Sequence, residues 1–95
     1  MYAIVIDLDT NCLNEKFDEP TYHNAYKKVK DFMMANGFNW TQGSVYFGDE
    51  SIDAVTCVLT VQRLAKEYTW FASCVKDIRM LRIEENNDLM PAISI

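Results

Sequence analysis

MYAIVIDLD, residues 1–9, is the stretch that decides the fold. An apolar run that ends against an acid and is followed by polar sequence is typical of a buried central strand. Side chains alternate along a strand, so Ile4 and Ile6 share one face while Val5 and Asp7 share the other. The pattern therefore places the carboxylate of Asp7 at the rim of a sheet.

A loop and then a helix follow this strand. Residues 10–20 are polar and lack a periodic pattern, so we expect a loop there. Pro20 and Thr21 open a helix with apolar residues at three- and four-residue steps. Asn36 and Gly37 end it, because a glycine can adopt the left-handed conformation that closes a helix.

The next residues predict a β-hairpin. Phe38 to Thr41 alternate as in a strand, Gln42 and Gly43 predict a tight turn, and residues 44–47 return to β-branched and aromatic composition. A single long strand with a bulge would give a similar pattern.

The last third predicts a helix, a short helical turn and a strand. Residues 49–66 begin with acids and end with bases, which suits a helix dipole, although their β-branched content favours a strand. Residues 69–75 predict one or two helical turns. Residues 77–84 predict the last strand, and Arg79 and Arg82 within it suit a sheet edge.

Strand, helix, strand, strand, helix, strand is the order of a ferredoxin-like α+β domain, here with an extra short helix before the last strand. In this arrangement the four-stranded antiparallel sheet has its first strand between the third and the fourth. The end of the first strand then meets the beginnings of both neighbours. We therefore expect Asp7, Ser44 and Asp77 at one rim of the sheet.

Length and composition indicate one ferredoxin-like domain over residues 1–95 that forms a homodimer. The hydrophobic content of 49% exceeds what so small a core needs, which predicts a subunit contact. The apolar tail of residues 89–95 could extend into that contact. A net charge of -5 argues against a protein that coats nucleic acid without specificity.

The cysteines and the N-terminus predict a cytoplasmic protein. Cys12, Cys57 and Cys74 are odd in number and widely spaced, so we expect neither a disulfide nor a zinc site, which fits a reducing compartment. The opening apolar run is far shorter than the roughly 20 residues that cross a bilayer. We expect no membrane association.

Three segments resemble the virulence-associated protein D (VapD) family: MYAIVIDL, GFNWTQGSVYFGDE and WFASCVKDIRMLRIEENNDL. The resemblance extends over essentially the whole chain. It implies a small dimeric ferredoxin-like endoribonuclease, related in fold to the small CRISPR-adaptation nuclease and often the toxin of a toxin-antitoxin pair. An RNA substrate and an antitoxin protein are the partners that it implies.

The family's site residues carry over to positions in these segments. The resemblance implies that the acid of MYAIVIDL is Asp7, that the serine of TQGSVY is Ser44 and that the acid of VKDIR is Asp77. These are the three residues that the strand order brings together. Residues 10–20 and the tail after Leu89 offer no matching pattern, which leaves substrate preference open.

RNA cleavage requires a proton acceptor, stabilisation of charge on the phosphate and a proton for the leaving oxygen. His23 is the only histidine, so a two-histidine mechanism within one subunit is excluded, and a solvated or capping role suits it better. Asp7 and Asp77 could act as general base and acid. Alternatively, two copies of Asp7 across a dimer axis could hold a hard cation such as Mg²⁺; no cofactor is otherwise evident.

Substrate contacts are predicted beside the acids. Arg79 shares a strand face with Asp77, and Lys76 adjoins it, so either could contact the scissile phosphate. Tyr46 could stack on a base, as could Trp40, although core packing suits Trp70 better. Structural roles are open for all of these residues, and two other functions stay open: a non-catalytic dimer that binds a protein or nucleic acid, and a small-ligand sensor.

Overall fold

The computed structural model describes residues 1–17 and 21–94. Nine elements follow one another within this part of the chain: β1 (Tyr2–Leu8), α1 (Thr10–Lys16), α2 (His23–Ala35), β2 (Phe38–Gln42), β3 (Val45–Gly48), α3 (Ala54–Glu67), α4 (Thr69–Cys74), β4 (Val75–Arg82) and α5 (Met90–Ile93). Of the two residues predicted to open this helix, Pro20 lies outside the described residues and Thr21 precedes α2, which begins at His23.

The strands form one antiparallel sheet in the order β2-β3-β1-β4. The first strand thus lies between the third and the fourth and is antiparallel to both, which confirms the predicted ferredoxin-like arrangement. The hairpin is confirmed as well, with its turn at Gly43 and Ser44, one residue later than expected. β4 is an edge strand, as its arginines indicated.

The two faces of β1 have different surroundings. Ile4, Ile6 and Leu8 are buried in the core cluster, and Ile4 lines a cavity together with residues of α3. This face therefore supports the helices. Asp7 belongs to the opposite face and is exposed at the end of the strand.

Helix α2 covers the sheet with a narrow apolar stripe. Ala25, Val29 and Met33 are buried at the three- and four-residue steps that the sequence predicts. The helix ends before Gly37, whose φ of +90° is the left-handed conformation that glycine adopts without strain. A side chain at Gly37 would also meet Ile52, whose Cδ1 lies 3.0 Å from the position of a Cβ.

The predicted loop after β1 is wrong over residues 10–16, which form α1. Asp9 caps this helix, because its Oδ1 accepts hydrogen bonds from the backbone N–H groups of Asn11 (2.9 Å) and Cys12 (3.2 Å). Leu13 and Phe17 are both buried and hold the short helix against the core. Residues 18–20 of the predicted loop lie outside the described residues.

Helix α3 begins later than the charge order predicted, at Ala54 instead of residue 49. Asp53 is its N-cap and accepts a hydrogen bond of 2.7 Å from the backbone N–H of Thr56. Asp49 instead accepts from the backbone N–H of Ser51 in a preceding turn. The acids therefore stabilise the turn and the cap, not the body of the helix.

The expectation of no disulfide is also wrong. Cys12 of α1 and Cys74 of α4 are bonded to each other, with their Cα atoms 5.3 Å apart. Sequence spacing did not suggest this pair, because 62 positions separate the two cysteines and the fold alone brings α1 beside α4. Cys57 is free and buried, and burial raises the pKa of its thiol, as does Asp53 to a lesser degree.

Candidate functional site

The two predicted acids face each other across neighbouring strands. Asp7 of β1 is directly paired with Asp77 of β4 in the antiparallel register. Residues opposite each other in such a pair have Cβ atoms about 5 Å apart and share a face. The structure therefore brings both carboxylates to one exposed position at the rim, on the sheet face opposite α2 and α3.

Arg79 lies on the same face, two residues along β4. Its Nε donates to both carboxylate oxygens of Asp77 at 3.1 Å. The contact places the positive charge of Arg79 beside the carboxylates of Asp7 and Asp77, which would otherwise repel each other. The side chain of Arg79 is 70% exposed, so the other nitrogens of its guanidinium group are accessible to a ligand.

Lys76 occupies a bulge between the paired positions. Asp7 is paired with Asp77 and Leu8 with Val75, so Lys76 is the extra residue on β4. A bulge bends its strand and redirects the side chains beside it. Here it separates the exposed Asp77 from the buried end of α4, where the N–H of Asp9 donates to the carbonyl of Cys74 at 2.8 Å.

Ser44 lies at the same rim but in a different position along the register. Its backbone carbonyl accepts a hydrogen bond of 2.9 Å from the N–H of Ile6, the residue before Asp7. Ser44 is half-buried and belongs to the hairpin turn. The serine thus lies one register position from the carboxylate pair.

The predicted aromatic contacts have different surroundings. Tyr46 is opposite Ile4 and only 5% exposed, and burial raises its pKa to about 12. Its ring presents no face to a nucleobase, so we assign it to the core instead of to substrate binding. Trp40 is exposed, with Nζ of Lys30 4.0 Å from its ring centroid. Trp70 packs edge-on against Phe17, with centroids 5.1 Å apart.

Sequence analysis did not single out Tyr26, which lies in the first turn of α2. Its phenol is half-buried at the start of α2, and its pKa is raised by burial first and then by the nearby carboxylate of Asp7. Strand order alone gave no signal for this residue, because α1 lies between β1 and α2 in the chain.

The candidate site holds few acids. Within residues 1–17 and 21–94 no group of three histidine, cysteine, aspartate or glutamate side chains converges in a way that could hold a metal ion. In the same part of the chain no helix is long and apolar enough to cross a membrane. The chemistry that the rim offers is thus two carboxylates, the guanidinium group of Arg79, the ammonium group of Lys76 and the hydroxyl of Ser44.

The fold and the paired carboxylates define a class of protein, a small ferredoxin-like α+β domain with an acidic rim. Comparisons with known proteins show which family of this class the chain resembles. No family model matches the chain. It is 70% identical to Endoribonuclease VapD 2 of Riemerella anatipestifer, over 99% of this chain and 100% of the relative. It is 63% identical to an endoribonuclease VapD homologue of Helicobacter pylori, over 100% of this chain and 98% of the relative. A third relative, Endoribonuclease VapD of Dichelobacter nodosus, is 39% identical over 93% of this chain and 91% of the relative.

The chain belongs to the VapD family.

Proposed function

We propose that this protein is an endoribonuclease whose active site is the rim formed by Asp7, Asp77 and Ser44. The observation that carries the proposal is the direct pairing of Asp7 with Asp77 on an exposed sheet face. Two relatives at 63% identity or more over nearly their full length are named endoribonucleases, which supports RNA as the substrate.

The rim supplies most of what RNA cleavage needs. Asp7 accepts the proton of the ribose 2′-hydroxyl as its oxygen bonds to the neighbouring phosphorus; the bond between phosphorus and the 5′-oxygen breaks, and the 5′-oxygen takes a proton from water. Arg79 and Lys76 offset the negative charge that grows on the phosphate oxygens. Ser44 orients a phosphate oxygen from the hairpin turn. Asp77 holds Arg79 in position through the two hydrogen bonds to Nε.

The protein acts in this proposal as a homodimer. Val5 and Leu81 lie on the face of the sheet that carries Asp7, away from α2 and α3, and Leu81 is 46% exposed. A second copy that covers this apolar face would bring two acidic rims close to its two-fold axis. Sedimentation at micromolar concentration tests this, since a 11.0 kDa species alone would contradict it.

The biological setting is part of the same proposal. We place the protein in the cytoplasm because its proposed substrate, RNA, is there; the Cys12–Cys74 bond removes the cysteine argument for a reducing compartment. We assign it the role of toxin in a toxin-antitoxin pair. An antitoxin protein would inhibit it by covering the acidic rim. Co-purification with the product of a neighbouring gene, together with loss of RNA cleavage in that complex, tests this role.

The cleavage assay uses labelled single-stranded RNA and purified protein. We expect Asp7→Asn to lower the rate at least about 100-fold, because asparagine cannot accept the proton. Asp31→Asn is the matched control, since Asp31 is an exposed acid on α2 whose partner is Lys27. Equal activity of the two variants would contradict the assignment of Asp7.

The same assay separates acid-base chemistry from cation-assisted hydrolysis. Our proposal expects cleavage to persist in a chelator and to leave a 2′,3′-cyclic phosphate. Loss of cleavage in the chelator, restored by Mg²⁺, would instead favour two Asp7 carboxylates that hold a cation across the dimer axis. RNA binding without any cleavage would favour a non-catalytic nucleic-acid-binding dimer.

A further inference from the structure

Charge is distributed unevenly over this acidic protein. Helices α2 and α3 carry five of the nine lysine and arginine residues but only two of the fourteen aspartate and glutamate residues. The whole chain has a net charge of -5, so the two helices are positive while the rest of the molecule is strongly acidic. A locally positive surface on a negatively charged protein attracts anionic ligands to that surface alone.

A groove between α2 and α3 concentrates this positive charge. It contains an open cavity with a volume of about 330 Å³. Both helices contribute to the lining, which consists of Phe32, Asn36, Arg63, Lys66 and Glu67. Two cations and one acid line the cavity, so the charge of its lining is positive on balance.

Arg63 is held in this groove by two uncharged acceptors. Its Nη2 donates to Oδ1 of Asn36 at 3.1 Å and to Oγ1 of the buried Thr60 at 3.3 Å. Asn36 is itself fixed, because its Nδ2 donates to the carbonyl oxygen of Phe32 at 2.8 Å. Within residues 1–17 and 21–94 no carboxylate pairs with the guanidinium group, and its Nε and Nη1 make no hydrogen bond.

A guanidinium group oriented in this way is suited to bind phosphate. Its planar N–H groups match two oxygens of a phosphate, and a side chain that is already fixed loses little entropy when a ligand binds. Lys66 lies three residues further along α3, so the two side chains project from the same face of the helix. A chain of phosphates that follows the groove would contact both cations in succession.

A third cation lies where the groove meets α4. Nζ of Lys28 is 5.8 Å from the ring centroid of Tyr68, the residue that follows α3. Lys28 lies eight residues before Asn36 and on the same face of α2, because side chains four residues apart are neighbours on a helix. The two helices are therefore antiparallel, and Arg63, Lys66 and Lys28 form a basic row that extends from the cavity to α4.

The basic row ends close to the acidic rim. Tyr68 is both the C-cap of α3 and the N-cap of α4. α4 has six residues, a length of about 9 Å, and it ends at Cys74, directly before β4. Val75, the first residue of β4, is paired with Leu8, which follows Asp7 in the chain. One short helix at the end of the sheet thus separates the basic row from the carboxylate pair on the other sheet face.

We propose that the basic row binds the sugar–phosphate backbone of single-stranded RNA a few nucleotides away from the cleaved bond, an inference that rests on the endoribonuclease function proposed above. The cleaved linkage lies at the carboxylate pair, and the adjoining nucleotides pass around α4 into the groove. Contacts to phosphates supply affinity without reading the base sequence.

RNA binding at several salt concentrations tests the role of the row directly. The probe is a labelled RNA of about 20 nucleotides, and every protein also carries Asp7→Asn so that the RNA stays intact. We expect the Arg63→Gln, Lys66→Gln double variant to bind about 10-fold more weakly or worse. The slope of log affinity against log salt should become shallower by about 0.7 for each cation removed. Lys27→Gln is the matched control, since Lys27 is an exposed lysine that pairs with Asp31.

Substrate length separates a distant backbone contact from a role at the cleaved bond. In proteins that keep Asp7, we expect the double variant to raise KM for the long RNA about 10-fold and to leave kcat within about twofold of the wild type. On an RNA of about four nucleotides, which is too short to reach the groove, the double variant should match the wild type. Thermal unfolding of each variant checks that the fold is intact.

The outcomes distinguish this inference from the function on which it rests. If the wild type cleaves RNA but the double variant keeps its affinity and salt slope, the active site stands and the basic row is not part of the RNA path. A loss that is confined to binding of polyglutamate would assign the row to an acidic protein partner instead. If the wild type binds RNA through the row but cleaves no RNA of either length, the endoribonuclease function fails while the RNA-binding surface stands.

Discussion

At the scale of single residues, the decisive feature is a pair of like charges with one guanidinium group beside it. Asp7 and Asp77 are direct neighbours across two strands, an arrangement that costs stability when nothing offsets the charge. Arg79 offsets it in the free protein through its hydrogen bonds to Asp77. On our proposal the same group meets the phosphate when RNA binds.

Removal of Arg79 should therefore weaken substrate binding more than it slows the chemical step. We expect Arg79→Ala to raise KM about 10-fold or more, the size of a lost charge-assisted hydrogen bond. Arg82→Ala is the control, since Arg82 is paired with Tyr2 at the far end of the same strand. Steady-state kinetics measure both variants, and an equal rise in KM would contradict a specific role for Arg79.

Much of the rim could be predicted from the sequence, because strand alternation is a local rule. Alternation alone put Asp77 and Arg79 on one face. The same rule, applied across the β1–β3 register, would have put Tyr46 on the buried face of Ile4. Tyr26 was predicted only as an apolar position of its helix, since helical periodicity gives a face but not the distance to a carboxylate elsewhere in the chain.

At the scale of elements, the starts of two helices were predicted incorrectly from the sequence, and each of these helices is capped by an aspartate. Asp9 begins α1, where we expected a loop, because seven residues are too few to show a helical repeat. Asp53 caps α3, whose first residue, Ala54, comes five residues after the predicted start. Both errors arose because a cap depends on one side chain and its backbone partners, whereas our interpretation used composition over longer windows.

The cap at Asp53 makes stability depend on pH in the acid range. Hydrogen bonds from the side chain and backbone of Thr56 lower the pKa of Asp53 below its usual 3.8. Because the pKa of Asp53 is lower in the folded protein than in the unfolded protein, its ionised form stabilises the fold at pH values above the unfolded-state pKa. This stabilisation is lost as the pH falls through the folded-state pKa. Asp53→Asn keeps a capping side chain but removes the titration.

We therefore expect the wild type to lose more stability than Asp53→Asn between about pH 5 and about pH 2, because the titration of Asp53 falls within this range. Urea unfolding at several pH values measures this difference. Parallel curves for the two proteins would show that the charge of Asp53 does not contribute to the cap.

At the scale of the whole molecule, strand order and the disulfide act on the same region. Strand order was predictable, because few topologies connect these elements by right-handed crossovers. The Cys12–Cys74 bond was not, because nothing in the spacing of three cysteines shows that α1 meets α4. The bond joins the helix that follows Asp7 to the helix that precedes Asp77.

This bond closes a loop with a sequence separation of 62, which should stabilise the fold by roughly 4 kcal/mol on the chain-entropy model. We expect a reductant to lower the free energy of unfolding of the wild type and to leave a Cys12→Ser, Cys74→Ser double variant unchanged. Thiol titration in denaturant without reductant should find one thiol, that of Cys57. Three thiols would mean that the bond is absent from the purified protein.

The central claim is that Asp7 and Asp77 belong to a single active site. Residues that act as a unit give non-additive losses when both are changed. The most direct measurement is the single-turnover cleavage rate of Asp7→Asn, Asp77→Asn and the double variant on the same RNA. With RNA kept below KM, we predict that Asp7→Asn slows cleavage at least about 100-fold, that Asp77→Asn, which releases Arg79, slows it about 10-fold, and that the double variant is no slower than Asp7→Asn. Full activity of Asp77→Asn, or losses that multiply in the double variant, would contradict the claim.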